Sequence, residues 1–305
     1  MSANQTREID GVRIALSNLE KPLYPSFTKG QVIDFYIRIS SCLLPHLKDR
    51  PVTMKRYPDG VGAKHFYEKD APKFTPEWVE TFEVPRRAGG RPIRYILINN
   101  LATLAWCANL ASLEIHPFLH RVPRIEEPTS VVFDLDPGDG AGILDCAEVA
   151  FLIRELLDRW KLTSCAKVSG SRGLQLYVPL NTRVTYAETR PFAKAIAERM
   201  AREHPNQVVA NMSKARRPGK VFIDWSQNSD FKTTVSVYSL RARQEQPFVS
   251  MPVNWNELNS AVKQRDASLL RFSPDAALKR VEKLGDGFAD VLTLKQRLPK
   301  NSLQD

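Results

Sequence analysis

The chain has 305 residues, 43% of them hydrophobic and 26% charged, so it is long enough for about two lobes and apolar enough for a packed core. Its 44 Lys and Arg against 34 Asp and Glu leave a net charge of +10, which favours a polyanionic partner. Four widely spaced cysteines and a polar N-terminus exclude a secreted disulfide scaffold, and asparagines interrupt the apolar-rich residues 95–115, which excludes a membrane span. We therefore expect a cytoplasmic protein with reduced thiols and no membrane partner.

The first half of the chain predicts helices and strands in alternation. Thr28 and Gln31 form a capping-box pattern, and the apolar spacing after them predicts a helix to about Leu44. Further predicted elements are strands over residues 51–57 and 93–98, and a buried helix over residues 101–113 that is ended by His116-Pro117. The proline-containing residues 121–129 are the predicted linker between an N-terminal lobe, 1–125, and a second lobe, 126–305.

The second half continues this mixture of elements. Its predicted strands cover residues 130–133, 162–168, 174–179, 221–224 and 234–238. Its predicted helices run from Asp145 and Glu148 to about Trp160, from Thr185 and Glu188 to about Glu203, and from Ser273-Pro274 to Gly285. Because strands and helices mix in both halves, the sequence predicts an α/β (α+β) fold.

Two carboxylates follow directly after a buried strand. Residues 131–133 are apolar, and Asp134 and Asp136 come next at alternate positions, so both side chains fall on one face of the strand. Two carboxylates this close repel each other unless a cation lies between them, and oxygen ligands favour Mg²⁺ or Mn²⁺ over zinc. The Asp-Pro-Gly-Asp-Gly composition fits a solvated turn equally well, so this segment alone leaves both interpretations open.

Three classes of site use carboxylates in such a position, and the neighbouring residues distinguish among them. An EF-hand loop requires Gly at its sixth position, where this chain has Asp139. An aspartyl phosphatase normally has a small hydroxyl or β-branched residue where this chain has Pro137. A nucleotidyltransferase needs a third carboxylate. Asp224, at the end of another apolar strand, is the candidate, and an ordinary strand-end Asp is the alternative.

A basic segment and a glycine-rich turn accompany these carboxylates. Residues 213–220 carry four positive charges and could hold phosphates or a template strand, although such runs are usually solvated loops. Residues 168–173 combine two glycines, two serines and Arg172, a composition that suits a phosphate cradle in which the serines donate hydrogen bonds. A simple hairpin turn is the alternative.

Seven motifs, in their order and spacing, make the sequence resemble the polymerase domain of bacterial ligase D, a prim-pol branch of the archaeo-eukaryotic primase superfamily. They are Leu-Ser-Asn-Leu-Glu-Lys-Pro-Leu-Tyr-Pro, Arg-Pro-Val-Thr-Met-Lys-Arg-Tyr-Pro-Asp-Gly-Val, Leu-Glu-Ile-His-Pro, Val-Phe-Asp-Leu-Asp-Pro-Gly, Ser-Gly-Ser-Arg-Gly-Leu, Val-Phe-Ile-Asp-Trp-Ser-Gln-Asn and Tyr-Ser-Leu-Arg-Ala-Arg. The match extends over about residues 16–292. It implies a two-lobed primase-polymerase fold with mixed sheets flanked by helices, in which residues 1–305 form a single catalytic unit.

The resemblance also implies an activity. It is that of a template-dependent DNA/RNA polymerase, a nucleotidyltransferase that fills gaps or extends 3′ ends at DNA breaks in non-homologous end joining and recognises a 5′-phosphate. The implied cofactors are two ions of Mn²⁺ or Mg²⁺, which suits a two-metal mechanism. The implied partners are gapped or broken DNA, NTP or dNTP, a separate DNA ligase and an end-binding protein, and the implied location is the nucleoid when the protein is bound to DNA.

Position by position, the resemblance implies roles for particular residues. The metal ligands and catalytic residues are Asp134, Asp136 and Asp224. The nucleotide-binding residues are His116, Ser169, Arg172, Gln175, Lys232 and Arg241. The 5′-phosphate contacts are Asn18, Lys21 and Lys29, and the DNA or template contacts are Lys55, Phe66, Tyr67 and Arg217. Because adjacent strand residues face opposite ways, only one of the two aromatics is expected to be exposed. Residues 86–91 match a protruding loop that we expect to contact the DNA backbone.

One residue departs from the pattern of the family. After the glycine-rich turn the family typically has Gly-Leu-His, where this chain has Gly173, Leu174 and Gln175. Glutamine forms hydrogen bonds but cannot carry a proton or a positive charge. The alternative function is therefore a catalytically weak or inactive module that binds or bridges DNA ends. No Lys-x-Asp-Gly ligase signature occurs, so we expect a stand-alone polymerase or an excised domain.

Overall fold

A computed structural model describes residues 5–86, 88–242 and 245–299 of the chain. Arg87 of the expected DNA-contacting loop and Arg243 of the last motif lie outside these described residues. The chain divides into two compact units, of which the first comprises Met1–Pro123, Thr233–Ser250 and Phe272–Gly285, and the second comprises Arg124–Lys232, Met251–Arg271 and Asp286–Asp305. Within the described residues, no helix is both long and apolar enough to cross a membrane.

The elements follow one another along the chain as short strands and longer helices. The strands are β1 (Gln5–Ile9), β2 (Val12–Leu16), β3 (Pro22–Tyr24), β4 (Phe27–Thr28), β5 (Pro51–Arg56), β6 (Phe66–Glu68), β7 (Thr81–Val84), β8 (Ile93–Leu97), β9 (Ser112–Pro117), β10 (Ser130–Pro137), β11 (Cys165–Val168), β12 (Leu174–Pro179), β13 (Val208–Val209), β14 (Val221–Asp224), β15 (Leu240–Arg241), β16 (Phe248–Val249) and β17 (Pro252–Val253). The helices are α1 (Lys29–Leu47), α2 (Leu101–Asn109), α3 (Ile143–Arg159), α4 (Tyr186–Glu203), α5 (Trp255–Gln264), α6 (Pro274–Leu284) and α7 (Asp290–Thr293), and short 3₁₀ turns cover Lys214–Arg216, Trp225–Gln227 and Ala267–Leu270.

The first unit is built around β5. This strand pairs with β9 along its length, with β8 at its beginning and with β6 at its end, and β7 extends the sheet beyond β8. Helix α1 packs against α2 and α6. The predicted capping box at the start of α1 is confirmed, because Thr28 Oγ1 accepts from the amide of Gln31 while Gln31 Oε1 accepts from the amide of Thr28.

Two predictions in the first unit are wrong. The helix expected over residues 101–113 ends at Asn109, because Ala111 takes a positive φ of 57° and the chain turns into strand β9. His116 therefore lies on a strand, not at a helix end. The strand expected over residues 234–238 is an irregular extended segment, whose amides of Thr234 and Ser236 donate to the carbonyls of Pro117 and Ile115.

The second unit contains a six-stranded sheet in the order β13-β14-β10-β12-β11-β17. Strand β10 lies inside this sheet, antiparallel to both β12 and β14, and helices α3 and α4 pack against it. The apolar residues 131–133 are fully buried, so the start of β10 is core. The predicted helix ends at Ser273, Gly285 and Thr185 agree with the structure.

Candidate active site

A row of polar side chains crosses the six-stranded sheet of the second unit. Asp134 on β10 is the direct cross-strand partner of Asp224 on β14 and of Gln175 on β12, and Gln175 is the partner of Lys167 on β11. Directly opposed residues of antiparallel strands project to the same face, with Cβ atoms about 4.5–5.5 Å apart. Two carboxylates, an amide and an ammonium group therefore stand side by side. The sequence analysis missed Lys167, whose signal was a lysine between Ala166 and Val168 near the end of a predicted strand.

Asp136 adds a third carboxylate to this face, because it lies two residues beyond Asp134 on the same strand. Burial raises the pKa of Asp134 to about 7, and repulsion from Asp136 and Asp224 adds to that shift. A hydrogen bond from Gln175 and the positive charge of Lys167 oppose it. The three predicted metal ligands are thus gathered on one face of one sheet, and their mutual repulsion favours a cation among them.

The third carboxylate is held by its own segment. Asp224 Oδ1 accepts from the amide of Ser226 at 2.9 Å and from the Ser226 hydroxyl, and Oδ2 accepts from Gln227 Nε2 at 3.0 Å. The Lys232 ammonium group donates in turn to the Ser226 hydroxyl. Lys232, predicted to bind the nucleotide, is therefore linked to Asp224 through one hydroxyl group.

The donor set of this face fits a hard divalent cation. In residues 5–86, 88–242 and 245–299, no three His, Cys, Asp or Glu side chains are arranged as a complete metal site as they stand. Both oxygens of Asp224 accept hydrogen bonds from Ser226 and Gln227, which agrees with that result. Asp134, Asp136 and Asp224 nevertheless supply only carboxylate oxygens, the ligands that Mg²⁺ and Mn²⁺ prefer. The raised pKa of Asp134 reflects first its burial and then the negative charge of its neighbours, and a cation would offset both.

The glycine-rich turn joins β11 to β12, as the sequence predicts. Ser169 Oγ accepts hydrogen bonds from the amides of Ser171 and Gly173, each at 3.3 Å, and these bonds leave its hydroxyl hydrogen able to donate. Arg172 is exposed, and its Nη2 lies 3.4 Å from the carbonyl oxygen of Gly138. The turn therefore presents an arginine at the end of the strand that carries Asp134.

A second polar cluster lies in the first unit, around a buried acid that the sequence analysis did not single out. Glu114, on β9, has Oε2 3.0 Å from His116 Nε2 and 3.2 Å from Arg241 Nε, and Oε1 3.6 Å from Lys55 Nζ. Only 1% of its side chain is exposed. Three residues to which the resemblance assigns nucleotide or template contacts are thus collected around one carboxylate. Its signal in the sequence was a glutamate two residues before His116, on the same strand face.

Strand β6 carries the two predicted stacking residues, Phe66 and Tyr67. Their side chains are 43% and 56% exposed, so the expectation that only one of them would be accessible is wrong. The reason is that β6 is a strand of only three residues at the edge of its sheet, where it pairs with β5. Arg56 lies 5.2 Å from the Phe66 ring centroid, and Lys55 Nζ lies 5.5 Å from that of Tyr67.

The residues predicted to bind a 5′-phosphate meet near the start of α1. Asn18 takes a positive φ of 52° and its carbonyl accepts from the amide of Lys21, while the amide of Lys29 donates to the carbonyl of Lys21 at 2.8 Å. Burial, followed by the charges of Lys21 and Arg56, lowers the pKa of Lys29 to about 8. Lys21 forms a 2.8 Å ion pair with Asp59. Two lysines eight positions apart in sequence are therefore close enough to repel each other.

The basic loop, residues 213–220, is anchored by Arg217. The guanidinium group of Arg217 lies 3.7 Å from the Phe222 ring centroid and donates to the Met212 carbonyl at 2.9 Å. Lys214 and Arg216 are exposed, and Arg216 lines a groove of about 950 Å³ together with Arg202. Arg217, the predicted template contact, therefore makes internal contacts, while its neighbours face solvent.

Comparisons with known proteins assign the chain to a family. The family described as LigD, primase-polymerase domain, matches residues 28–288. The chain is 38% identical over 283 residues to the multifunctional non-homologous end joining protein LigD of Mycolicibacterium smegmatis, across 92% of this chain and 36% of that protein. It is 31% identical over 295 residues to the bifunctional non-homologous end joining protein LigD of Bacillus subtilis, across 95% of this chain and 46% of that protein. The chain thus spans less than half the length of these two relatives.

A solved structure resembles the fold as a whole. The polymerase domain from Mycobacterium tuberculosis ligase D in complex with DNA matches with a TM-score of 0.84 and 38% sequence identity, over 92% of this chain and 98% of that one. The α/β fold expected from the sequence, with mixed sheets and helices, is confirmed. The chain belongs to the LigD primase-polymerase family, a family of DNA-repair nucleotidyltransferases.

Proposed function

We propose that this chain is a template-dependent polymerase that adds nucleotides to a 3′ end at a gap or break in DNA and recognises a 5′-phosphate on the far side of the gap. The observation that carries the proposal is the cross-strand pairing of Asp134 with Asp224, which brings the third carboxylate to the face that holds Asp134 and Asp136. The family to which the chain belongs supports the same reading, since its members are named for non-homologous end joining.

In the proposed mechanism, Asp134, Asp136 and Asp224 would hold two divalent ions. The chemistry that such ions supply is a lowered pKa of the attacking hydroxyl group and neutralisation of triphosphate charge. Ser226 and Gln227 orient Asp224 through three hydrogen bonds, and Gln175 orients Asp134. Ordered carboxylates of this kind lower the reorganisation needed when charge moves in the transition state.

The proposed nucleotide contacts are those that the resemblance assigns, taken here one unit at a time. In the second unit, Arg172 and Lys232 supply positive charge for the triphosphate, beside Ser169 and Gln175. In the first unit, Arg241 and His116 are the proposed contacts to the phosphates and the sugar. Charge-assisted hydrogen bonds from Arg and Lys to phosphate are among the strong polar contacts of proteins.

The DNA contacts are proposed for the first unit and the basic loop. Phe66 and Tyr67 expose enough ring area to stack on bases, and stacking is worth about 1–3 kcal/mol per base. Lys21, Lys29 and Asn18 form the proposed 5′-phosphate site. Lys29 is buried and its pKa is lowered. A bound phosphate would act as a counter-charge and offset the free-energy cost of burying the ammonium group.

The test of this function is extension of a primer on gapped DNA in the presence of Mn²⁺ or Mg²⁺, with ribonucleotides and deoxyribonucleotides compared. We expect Asp136→Ala to lower extension by at least about 10³-fold, the scale of losing a major transition-state contact, while DNA binding changes little. Asp158→Ala, which removes an exposed acid from α3, is the matched control. Wild-type protein that binds the DNA and extends nothing would exclude the polymerase.

One observation favours a second candidate function, a catalytically weak module that binds DNA ends. Gln175 is only 2% exposed and lies directly opposite Asp134, in the place where the family typically has histidine. An amide there cannot exchange a proton with the nucleotide. Gln175→His separates the two functions. A gain in extension rate of tenfold or more would mean that the natural glutamine limits the chemistry. A measurable wild-type extension rate that the substitution leaves unchanged would favour the polymerase.

A further inference from the structure

Glu114 is a buried acid to which the proposed function assigns no role. It lies on β9 with only 1% of its side chain exposed, and it shares a strand face with His116. An ionised carboxylate in such surroundings is costly unless it is paired and hydrogen-bonded. Its contacts therefore need an explanation beyond packing.

The contacts of Glu114 come from three separate strands. Lys55 on β5 is its direct cross-strand partner, and the Nζ atom of Lys55 lies 3.6 Å from Oε1. Arg241 on β15 places Nε 3.2 Å from Oε2, and the backbone amide of Ala242 donates to Oε1 at 3.2 Å. His116 Nε2 lies 3.0 Å from Oε2. One carboxylate thereby determines where three chemically active side chains sit.

The charges in this cluster do not cancel. Among the described ion pairs of this cluster, two cations, Lys55 and Arg241, surround one anion, Glu114, an excess of one positive charge. Burial lowers the pKa of His116, which favours the neutral form of its ring. A carboxylate can only accept, so the neutral ring must carry its proton on Nε2 and leave Nδ1 as an acceptor. Glu114 therefore selects the tautomer of His116 as well as the position of the cations.

We propose that Glu114 is a positioning residue for nucleotide binding, which holds Arg241 and Lys55 in place for anionic phosphates and presents His116 with Nδ1 as a hydrogen-bond acceptor. This inference rests on the proposed function. The ligand class is a nucleoside triphosphate, since the cluster combines residual positive charge with an acceptor for a sugar hydroxyl group.

The first experiment measures KM and kcat for the incoming nucleotide in single-nucleotide gap extension. We expect Glu114→Gln to raise KM at least tenfold and to lower kcat much less. Glu127→Gln is the matched control, because Glu127 also pairs with two arginines, Arg124 and Arg183, and we expect its KM to stay within twofold of wild type. A KM for folded Glu114→Gln within twofold of wild type would overturn the proposal.

A double-mutant cycle distinguishes positioning from a general loss of structure. Because Glu114 is proposed to act in part through Arg241, Glu114→Gln should raise KM by a clearly smaller factor in an Arg241→Ala background than in the wild type. Full additivity of the two substitutions would contradict the proposal. Should Glu114→Gln fail to fold, Glu114→Asp, whose shorter side chain cannot reach all partners, is taken through the same cycle.

A spectroscopic measurement tests the inference without any activity. The chain has five histidines, so ¹⁵N NMR of the imidazole nitrogens can be assigned by His→Gln substitution. We expect His116 in the wild type to be protonated on Nε2, and Glu114→Gln to shift both ring nitrogens. Protonation on Nδ1 in the wild type would overturn the inference, whereas wild-type protein that extends no primer would overturn only the proposed function.

Discussion

Burial gives three side chains an ionisation behaviour that exposed groups of the same type lack. Asp134 has a raised pKa because it is desolvated beside Asp136 and Asp224, and Lys29 has a lowered pKa because it is desolvated beside Lys21. Burial alone would raise the pKa of Glu114, but hydrogen bonding and positive charge from its partners outweigh it and hold the pKa well below the usual value. The first two groups lack a sufficient counter-charge within the protein, and that deficit favours a charged ligand.

The lowered pKa of Lys29 makes recognition of a 5′-phosphate dependent on pH. Lys29 loses its charge as the pH rises through about 8, so we expect the preference for 5′-phosphorylated over 5′-hydroxyl gapped DNA to fall several-fold between pH 7 and 9. The ratio of the two dissociation constants at each pH measures this effect. Lys29→Arg, which keeps its charge at pH 9, should flatten the dependence. A preference that is constant over this range would show that Lys29 is not the titrating group.

The lowered pKa of Lys29 also affects stability. Binding of a 5′-phosphate is expected to weaken as the pH rises, whereas the contribution of Lys29 to the free energy of unfolding increases. Because the folded pKa of Lys29 lies below the unfolded value of 10.5, the unfolded state binds more protons between about pH 8 and 10.5. This group therefore contributes a free energy of unfolding that rises with pH through that window, and it destabilises the fold at pH 7.

The raised pKa of Asp134 predicts a stability effect that divalent ions reverse. Between about pH 4 and 7 the folded state binds the extra proton, so without metal ions this group lowers the free energy of unfolding as the pH rises. At pH 8 in EDTA we expect Asp134→Asn to have a higher melting temperature than the wild type, because it removes the buried ionised carboxylate. The increase should be about 2–4 °C for each kcal/mol gained in the free energy of unfolding, and the two melting temperatures should become equal near pH 4. Added Mn²⁺ should stabilise only the wild type. A variant that melts below wild type at pH 8 in EDTA would contradict this account.

At the scale of elements, strand register and close backbone contacts build the site. The antiparallel pairing of β10 with β14 sets Asp134 opposite Asp224, and a shift of one residue would turn Asp224 to the other face of the sheet. Two glycines keep neighbouring backbones close. A Cβ atom at Gly173 would lie 2.3 Å from the Leu135 carbonyl oxygen, and one at Gly138 would lie 1.8 Å from the Arg217 carbonyl oxygen.

Gly138 is therefore expected to tolerate no side chain. Gly138→Ala must displace either the end of β10 or the basic loop, because both partners are backbone, and overpacking of this kind costs about 1–3 kcal/mol. We expect a lower melting temperature and a loss of primer extension, measured on the same preparation. Gly62→Ala is the control, since a Cβ atom at Gly62 has no neighbour within 4 Å. Equal behaviour of the two variants would mean that the close approach at Gly138 has no role.

At the scale of the whole molecule, the net charge of +10 and the order of the chain matter. The first unit contains three separate stretches of sequence. Arg241 pairs with Glu114 of β9, although most residues of the second unit lie between the two in sequence. The positive charge on both units suits a long polyanion, and its contribution to binding is expected to depend on salt.

Three cations are proposed to contact DNA phosphates: Lys21, Lys29 and Arg217. With about three such contacts, affinity for gapped DNA should fall roughly 40-fold between 50 and 200 mM salt, and removing one contact should reduce the logarithmic slope by about 0.9. Fluorescence anisotropy across this range measures both values. We expect Lys21→Ala to reduce the slope and to erase the 5′-phosphate preference. If Lys21→Ala changes neither the salt slope nor the preference for a 5′-phosphate, the 5′-phosphate is bound by other residues.

Local patterns were enough to predict the α/β class, the capping boxes, the glycine-rich turn and the shared face of Asp134 and Asp136, because each depends on neighbours a few residues away. The motifs predicted the family, because their order and spacing carry its signature. Local patterns misplaced the end of α2, where alanine and leucine suit a helix but the chain turns at Ala111.

Only the tertiary structure decided which distant residues meet. The pairing of Asp224 with Asp134, the approach of Lys29 to Lys21, and the collection of Lys55, His116 and Arg241 around Glu114 depend on strand register and chain return. Periodicity along a strand determines which side chains share a face, but it carries no information about which strand lies alongside. That choice is made by packing between segments far apart in the chain, and it gives Glu114 and Lys167 the partners that their own sequence positions do not indicate.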